Sequence, residues 1–419
     1  MLKRNQPNKK LFLHFFTPVI LLSITLSACS DTPGDVPFPA EETEFTQPVS
    51  KPFKFGEPKK ISWAVPDPKT FKPITETRFD INTLPSHPID LGDFKPFLKP
   101  MREKKLDWEY LPNTGFNIDS LPSKILKFKT SVLGQPKRIK SGLPTIKEGA
   151  TQNILVYGYE QGLPGTIVQG LLQDKSGIMW FGTENGVCRF DGEYCEIFTV
   201  EQGMSHNYIK AFFEDSQGRI WIAVSGGGID LLDMKKATLK HLGVSEGLCN
   251  NYTLSFLEDK TGKIWIGTDG GVNIIDEKAG TIKYLDAVAG RVINNGNNFL
   301  QDREGKIWIA TNCGIIIVDE KTGTLKRISD DQGLGAVSGK YLFEDRQGEI
   351  WIGLLEGGGI NVIDPKKGTI HYLNTEQGLA NPDVWSIVED DLNKIWVGGP
   401  GGIDVIDEEP GMIKHIGTT

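Results

Sequence analysis

The chain has 419 residues, 48 of them glycine, and its 46 Lys and Arg residues against 54 Asp and Glu residues give a net charge of −8. A hydrophobic fraction of 38% with 24% charged residues excludes a wholly disordered chain and a polytopic membrane protein. Glycine well above the ~7% of an average protein indicates many tight turns and favours a β-rich fold over a helical one.

Charge and proline divide the chain into three parts. Residues 1–30 carry four basic and no acidic residues, residues 31–150 carry 19 basic and 16 acidic residues, and residues 151–419 carry 23 basic and 38 acidic residues. Seventeen of the 24 prolines lie in the middle part. The last part has a net charge of −15, so it would repel phosphate groups, and nucleic acid and strongly anionic ligands are not expected as its partners.

The first part has the pattern of an export signal. Four basic residues precede a largely apolar run over residues 11–26, which is short for a membrane span, and Ser27, Ala28 and Cys29 follow. This ending resembles the lipobox of bacterial lipoproteins, in which the cysteine is acylated. The resemblance implies a signal peptide over residues 1–28, a lipid on Cys29, and an extracytoplasmic protein tethered to a bacterial membrane, in the periplasm or at the cell surface. A plain signal peptide or a retained anchor is the alternative.

The middle part, residues 29–150, is predicted to be extended. Prolines recur every few residues, and each one removes a backbone donor, so long helices and central strands are disfavoured. The stretch to about residue 53 is typical of a flexible spacer. Apolar clusters at residues 61–65, 106–108 and 125–128 favour segments that dock along the last part, with an independent small subdomain as the alternative.

The last part, residues 151–419, contains six repeats. Six tryptophans follow one another at intervals of 41 to 45 residues, each preceded six positions earlier by the Asp of an Asp-x-x-Gly or Asp-x-x-Asn turn: Trp180, Trp221, Trp265, Trp308, Trp351 and Trp396. Each unit divides into four short strands, A to D, with this turn between strands A and B. Four strands in about 43 residues is the period of a β-propeller blade.

These six motifs resemble the two-component regulator propeller repeat. The resemblance implies an all-β propeller of six four-stranded blades and a role in the sensor region of bacterial two-component proteins. Members of that family often have seven blades per ring or two propellers in tandem. Residues 154–163 align on residues 370–379 and add one orphan D strand before the first blade. Either the ring closes at six blades with an extra edge strand, or the chain is part of a larger ring, or the middle part donates the missing strands.

Two cysteines, Cys188 and Cys195, flank a predicted hairpin turn at Asp191-Gly192. Counting outward from a two-residue turn places them opposite each other on paired strands. A cross-strand disulfide and two buried thiols are both compatible with an oxidising compartment.

The repeated Asp and Trp residues are predicted to cap turns and to fill the space between blades. Ligand-binding residues should instead differ between blades, on the face formed by the D-to-A connections and the B-to-C loops. Amides, hydroxyls and aromatic rings there suit a polyhydroxylated ligand. The candidate residues are Glu184, His206, Asn207, Tyr208, Lys210, Asn251, Tyr252, Asp269, Asn295, Asn297, Lys340, Glu356 and Trp385. A turn role is the alternative for any single asparagine.

The favoured function is that of a membrane-anchored sensor-type propeller that binds a neutral glycan or another small polar ligand and signals through a membrane partner. A protein-protein interaction scaffold is the alternative. A lyase is a minor alternative, since the streptogramin-inactivating lyases are propellers with a catalytic His, and here only His206 lies on the loop face while His241, His371 and His415 occupy outer D strands. No catalytic residue, metal or cofactor is predicted.

Overall fold

The computed structural model describes residues 93–109, 111–146, 155–285, 287–288, 291–408 and 410–417. The predicted signal peptide, Cys29 and the spacer lie outside these residues. Six β-sheets of five strands each form the blades of a propeller. Helical structure within the described residues consists of single turns of 3₁₀ helix at Ile118–Ser120, Tyr159–Gln161, Val200–Gln202, Val244–Glu246 and Asp330–Gln332. None of them is long or apolar enough to cross a bilayer.

Four strands of every blade are consecutive in the chain and correspond to the predicted strands A to D. Blades 1 and 2 contain β9 Val168–Gln173, β10 Met179–Thr183, β11 Gly186–Phe190, β12 Tyr194–Phe198, β13 Ile209–Glu214, β14 Ile220–Val224, β15 Gly228–Asp233 and β16 Thr238–Leu242. Blades 3 and 4 contain β17 Thr253–Glu258, β18 Ile264–Thr268, β19 Gly271–Asp276, β20 Thr281–Leu285, β23 Asn298–Gln301, β24 Ile307–Thr311, β25 Gly314–Asp319 and β26 Thr324–Ile328, with the short hairpin β21 Ala287–Val288 and β22 Arg291–Val292 between them. Blades 5 and 6 contain β27 Gly339–Glu344, β28 Ile350–Leu354, β29 Ile360–Asp364, β30 Thr369–Leu373, β31 Ser386–Glu389, β32 Ile395–Gly399, β33 Gly402–Asp407 and β34 Met412–Ile416.

A fifth strand in each blade is the main difference from the predicted four-stranded blade. It comes from residues 95–140, which we call the strap, and which contain β1 Lys95–Pro96, β2 Arg102–Lys105, β3 Asn113–Gly115, β4 Ser123–Ile125, β5 Lys129–Val132 and β6 Lys137–Lys140. Each strap strand pairs antiparallel with a D strand, and β1 to β6 take blades 6 to 1 in descending order. The strap satisfies the outer hydrogen-bonding edge of every blade, an edge that would otherwise be open to pairing with other chains.

The strap also inserts apolar side chains between the blades. After β2, the backbone N–H of Leu106 donates to the carbonyl of Gly368 in the C-to-D turn of blade 5, at 2.7 Å, and Phe116 and Leu126 make the equivalent bonds one and two blades further along the ring. Leu106 is 2% exposed and packs with Trp308 in the core between blades 4 and 5. The strap is therefore part of the propeller core as well as its edge.

The repeated Asp joins the turn to the core in every blade. In blade 3, Oδ1 of Asp259 accepts hydrogen bonds from the backbone N–H groups of Thr261 and Lys263, at 2.8 and 3.1 Å, and Oδ2 accepts from Nε1 of Trp265, at 2.8 Å. The indole is fully buried between blades. The predicted turn-capping role of the Asp and the predicted core position of the Trp are both confirmed.

The two ends of the blade series are not covered by a neighbouring blade. Leu171 of blade 1 is 60% exposed, and Val388 and Ile403 of blade 6 are 57% and 41% exposed, whereas Ile229, the counterpart of Ile403 in blade 2, is fully buried. The indole of Trp396 in blade 6 is only half-buried. The ring is therefore open between blades 6 and 1 in the described part of the chain, and it is not sealed at six blades.

The orphan D strand directly precedes blade 1 in the sequence, and blade 1 is one of the two blades at this opening. Residues Leu155–Val156 form β8, which pairs antiparallel with β7, Thr145–Ile146, in a separate two-stranded sheet. The strand β7 thus pairs with β8 in the same antiparallel way as a strap strand pairs with a D strand in the six blades. Among the described residues, the middle part supplies one partner strand here and does not supply strands A, B and C of a further blade.

The cysteines of blade 1 are not directly opposite each other. Phe190 pairs with Cys195, and Cys188 pairs with Ile197, because four residues, 191–194, and not two separate the last paired positions of the hairpin. The two buried sulfur atoms meet on the diagonal, 2.8 Å apart, as free thiols. The predicted contact is present, and the predicted register was wrong by two residues.

Removal of the Asp259 carboxylate should destabilise the propeller strongly. Asp259→Ala leaves the Trp265 N–H and two turn N–H groups without their acceptor, and the free energy of unfolding is expected to fall by about 3 kcal/mol or more, measured by chemical denaturation. Asp259→Asn keeps an oxygen for the turn but not the one that accepts from the indole, so the free energy of unfolding should fall by less in this variant. Asp391→Ala, at an exposed aspartate, is the control. Equal stability of the two Asp259 variants would contradict the role of the indole bond.

Truncation of a buried strap side chain should also lower stability. Leu106→Ala is expected to cost about 2–5 kcal/mol, because it opens a cavity in the core between blades 4 and 5. Val132→Ala removes a strap side chain that is 82% exposed, and it should change the free energy of unfolding by less than about 0.5 kcal/mol. A similar effect of both variants in denaturant unfolding would show that the strap does not belong to the core.

Candidate functional site

Strand A of each blade lies nearest the propeller axis, because the A strands of successive blades pack against one another. In four blades this strand has a β-bulge near its first residues. In blade 2, Ile209 pairs with Val224 and Ala211 pairs with Ala223, which leaves Lys210 as the unpaired residue. The corresponding unpaired residues are Gln169 in blade 1, Leu254 in blade 3 and Lys340 in blade 5. A bulge redirects a side chain out of the regular alternation of a strand, and bulges are common beside functional sites.

Two of these axial side chains, Gln169 and Lys210, form a connected group with Tyr208. Nε2 of Gln169 donates to the Tyr208 hydroxyl at 2.6 Å, and Nζ of Lys210 donates to Oε1 of Gln169 at 2.8 Å. The same ammonium lies 4.8 Å from the centre of the Tyr208 ring. The amide thus orients both the phenol and the cation.

Lys340 and Asp269 complete this group, which we call the axial cluster: Gln169, Tyr208, Lys210, Asp269 and Lys340. Burial and the charge of Lys210 lower the pKa of Lys340, while Asp269 opposes that change. Burial also lowers the pKa of Lys210 and raises the pKa of Asp269. The charges of Lys210, Asp269 and Lys340 affect one another's pKa, so these side chains of blades 2, 3 and 5 face a common region near the axis.

Three more predicted residues lie at the entrances of A strands. Nδ2 of Asn297 donates to the carbonyl of Gly339, directly before Lys340, at 2.7 Å. Tyr252 and Trp385 are 51% and 50% exposed, which is unusual for rings of this size. The site therefore combines cations, amides and accessible aromatic rings.

Several predicted site residues have local structural roles. The Glu184 carboxylate accepts hydrogen bonds from the backbone N–H groups of Thr166 and Ile167, at 2.9 and 3.0 Å, and although burial opposes this effect these bonds lower its pKa. Asn295 and Glu356 have φ values of 54° and 58°, so they hold left-handed turn positions.

The predicted residues of the D-to-A connections also stabilise turns. Asn207 and Asn251 each accept a bond of 2.8 Å from a backbone N–H of the preceding 3₁₀ turn, at Val200 and Val244. His206 accepts from the N–H of Tyr208 through Nδ1, at 3.1 Å. Asn250 makes the same contact with Tyr252 in the next blade. These side chains shape the loops and do not join the axial cluster.

One of the outer histidines, His241, is more buried and has more bonding partners than its predicted surface position suggested. Nδ1 of His241 lies 2.6 Å from Oδ1 of the fully buried Asp230, and its Nε2 lies 3.3 Å from the hydroxyl of Ser131 on the strap. The sequence Asp230, His241 and Ser131 resembles a catalytic triad. Asp230, however, also accepts a hydrogen bond from the backbone N–H of Ser205, and in blade 3 the side chain of Asn273 binds the equivalent loop in the same way. We therefore interpret the His241 group as a loop anchor. His371 lies one position out of register with His241 and His415, since His241 and His415 pair with Asp230 and Asp404 and His371 pairs with Val362.

Cavities of about 500, 420 and 530 Å³ lie at the margins of the blades. Asn207 lines the first, Asn251 and His241 line the second, and Trp108 of the strap lines the third. No member of the axial cluster lines any of these three cavities. The axial cluster is therefore separate from these three cavities.

Comparison with known families identifies the repeat. The two component regulator propeller family matches residues 162–185, 203–226 and 247–270. Each matched segment runs from the end of a D-to-A connection through strands A and B of blades 1, 2 and 3. No curated protein matches the chain.

Among solved structures, two of the extracellular domain of BT4673 from B. thetaiotaomicron are similar to this chain. One, described as a hybrid two component system, has 25% identity, and the other, described as a one component system, has 24%; both have a TM-score of 0.50 and cover 60% of this chain. The match spans only 36% of that extracellular domain. The similarity thus concerns the propeller and not the whole of that protein.

An inactive virginiamycin B lyase from Staphylococcus aureus, solved with quinupristin, covers 70% of this chain and 89% of its own length, with 13% identity and a TM-score of 0.48. A similarity of this size has no implication for activity.

Replacement of Lys340 should stabilise the protein at neutral pH. Lys340→Met removes a half-buried ammonium that forms no hydrogen bond with the described residues, so the free energy of unfolding is expected to rise. In the wild-type protein the folded-state pKa lies below the ordinary value of ~10.4. Between these two values the unfolded chain binds more protons than the folded protein, so wild-type stability should rise with pH there, and the variant should lack this rise.

The measurement is chemical denaturation at a series of pH values from about 7 to about 10.5. Lys236→Met, at a highly exposed lysine, is the control and should follow the wild-type curve. A Lys340→Met protein that is less stable at neutral pH and keeps the alkaline rise would contradict this prediction.

Proposed function

We propose that this chain, which carries repeats of the two-component regulator propeller family, is the ligand-binding module of an extracytoplasmic sensor. The three matched repeats and the similarity to an extracellular domain of a two-component system support this proposal. In this view the Cys29 lipid tethers the protein to a bacterial membrane, and a separate membrane protein carries the signal onward. The bound and free states would differ in the population of conformations that this partner recognises.

The ligand is proposed to be a small polyhydroxylated molecule of the glycan type. The observation that carries this is the Gln169 and Tyr208 pair, with the exposed rings of Tyr252 and Trp385 on the same loop face. Amide and phenol groups pair with hydroxyl groups, and aromatic rings cover the C–H faces of sugars. An accessible ring presented by a rigid strand entrance loses little conformational entropy when it binds a ligand.

A protein-interaction scaffold is the second candidate. The observation that favours it is the exposed apolar surface at the open ends of blades 1 and 6, which includes Leu171, Val388 and Ile403. Contiguous apolar surface of this kind is typical of protein contacts. No enzymatic activity is proposed, because the axial cluster does not include a nucleophile paired with a general base.

A thermal-shift screen of the purified protein separates the two candidates. Neutral oligosaccharides, uronate oligosaccharides and peptides are tested, and a ligand that binds only the folded state should raise the unfolding temperature as its concentration increases. Trp385→Ala and Tyr252→Ala should reduce the shift, because they remove the exposed rings, while Val132→Ala should not. A cooperative melt with no shift from any glycan would contradict the sensor proposal and favour the scaffold.

A further inference from the structure

The axial cluster contains two lysines where the repeat itself requires none. We propose that Lys210 and Lys340 hold one anionic group, a carboxylate or a sulfate, of a polyhydroxylated ligand, while Asp269 and Gln169 bind its hydroxyl groups. This inference rests on the proposed ligand-binding function and names the chemical class of the ligand. It replaces the neutral glycan that the sequence favoured.

The backbone directs both lysines to the same place. Each is the unpaired residue of a β-bulge near the start of its A strand, in blades 2 and 5. Equivalent positions in two blades of one ring lie at the same height and face the axis, and the Lys210 charge contributes to the lowered pKa of Lys340. Two like charges near each other cost free energy, so a feature of this kind needs a compensating role.

Lys340 differs from two other half-buried lysines of the propeller that are paired with carboxylates. Lys263 pairs with Glu320 at 3.0 Å, and Lys283 pairs with Asp119 at 2.6 Å. Within the described residues, the ammonium of Lys340 has no hydrogen bond and no carboxylate within 4 Å, and its nearest counter-charge is Asp269, which Lys210 shares. The donors of the Lys340 ammonium are therefore free to bind a ligand.

The local charge is opposite to that of the surrounding domain. Two lysines and Asp269 give the axial cluster a charge of +1, although residues 151–419 carry −15. Over distances beyond the Debye length of ~8–10 Å the acidic surface is screened, so the near charges decide what binds. The acidic surface still disfavours polyanions such as nucleic acids, and the cluster therefore fits a ligand with one or a few anionic groups.

The contacts of Lys210 suit a ligand that is both charged and hydroxylated. Its ammonium is fixed by Gln169 and by the Tyr208 ring, so one of its three N–H groups is used and others remain for a ligand. Asp269 is exposed, and among the described residues no hydrogen bond reaches its carboxylate, so a ligand hydroxyl can donate to it. A charge-assisted bond to an ammonium is stronger than a neutral one, which makes the anion the anchor and the hydroxyl groups the selective contacts.

The test compares three probes with the same sugar skeleton: a galacturonate trimer, its methyl ester and the neutral galactose trimer. Binding to the full chain is measured by calorimetry, with a sulfated galactose trimer as a fourth arm that separates sulfate from carboxylate. The charged trimer is expected to bind at least about tenfold more tightly than the ester or the neutral trimer, and its affinity should fall as salt is added.

Variants assign the preference to the two lysines. Lys340→Met and Lys210→Met should each weaken binding of the charged trimer by about tenfold or more and change binding of the ester much less, and the double variant should lose the salt dependence. Lys340→Arg should retain the preference for charge. Lys236→Met is the control, and thermal melts show that each variant is folded.

Three outcomes would overturn the inference. Equal binding of the charged, ester and neutral trimers would refute anion recognition while the proposed sensor function stands. Selective binding of the charged trimer that survives both lysine substitutions would place the anion elsewhere on the protein. Failure of all four probes to bind a folded protein would refute both the anion site and the proposed glycan-binding function.

Discussion

The propeller depends on one carboxylate per blade. The repeated Asp uses one oxygen to close the turn between strands A and B and the other to bind the indole N–H of the Trp six residues later. Because the Trp lies between blades, the turn geometry of one blade and the packing of the next blade cannot vary independently. The same charge-assisted bond recurs in every blade, and it leaves the loops at the strand entrances free to differ.

That division of roles explains the placement of the axial cluster. Strands B and C are almost fully buried on both faces, as in the run Ile220–Val224, so their residues are determined by packing. The bulged residue of strand A is outside the regular ladder, and it differs from blade to blade as Gln169, Lys210, Leu254 and Lys340. A bulge in a repeated scaffold thus supplies a ring of positions that can change without loss of the fold.

The sequence predicted the blades because their signals are repeated and local. The Trp spacing and the turn motif occur six times, and strands A to D follow from them. Docking of the middle part along the propeller was expected from its apolar clusters, but the strap strands themselves were not predicted, since stretches such as Arg102–Lys105 are short, charged and exposed on both faces and have no alternation. They form only because the D strands offer an edge. A weaker signal was present in the apolar residues Leu106, Phe116 and Leu126, which recur at about ten-residue intervals.

The candidate site was predicted in part for a similar reason. Lys210, Lys340, Tyr208 and Asp269 differ between blades, and that difference was sufficient to select them. The same rule also selected Glu184, Asn207 and Asn251, whose side chains bind backbone N–H groups of their own loops. A sequence does not distinguish an amide that completes a turn from one that faces a ligand, because both require a polar group at a loop. The bulges, which depend on strand pairing, decide between them.

The descending path of the strap gives the protein a direction for mechanical load. Tension applied to the chain before Lys95 would act first on β1, which is only two residues long, and then on β2 and the buried Leu106. Such a pull separates the strap from the D strands one bond at a time, in the manner of peeling, and not by shearing many bonds together. Each step would also withdraw a buried side chain such as Leu106 or Phe116 from the core between blades, so every blade adds its own resistance to the pull.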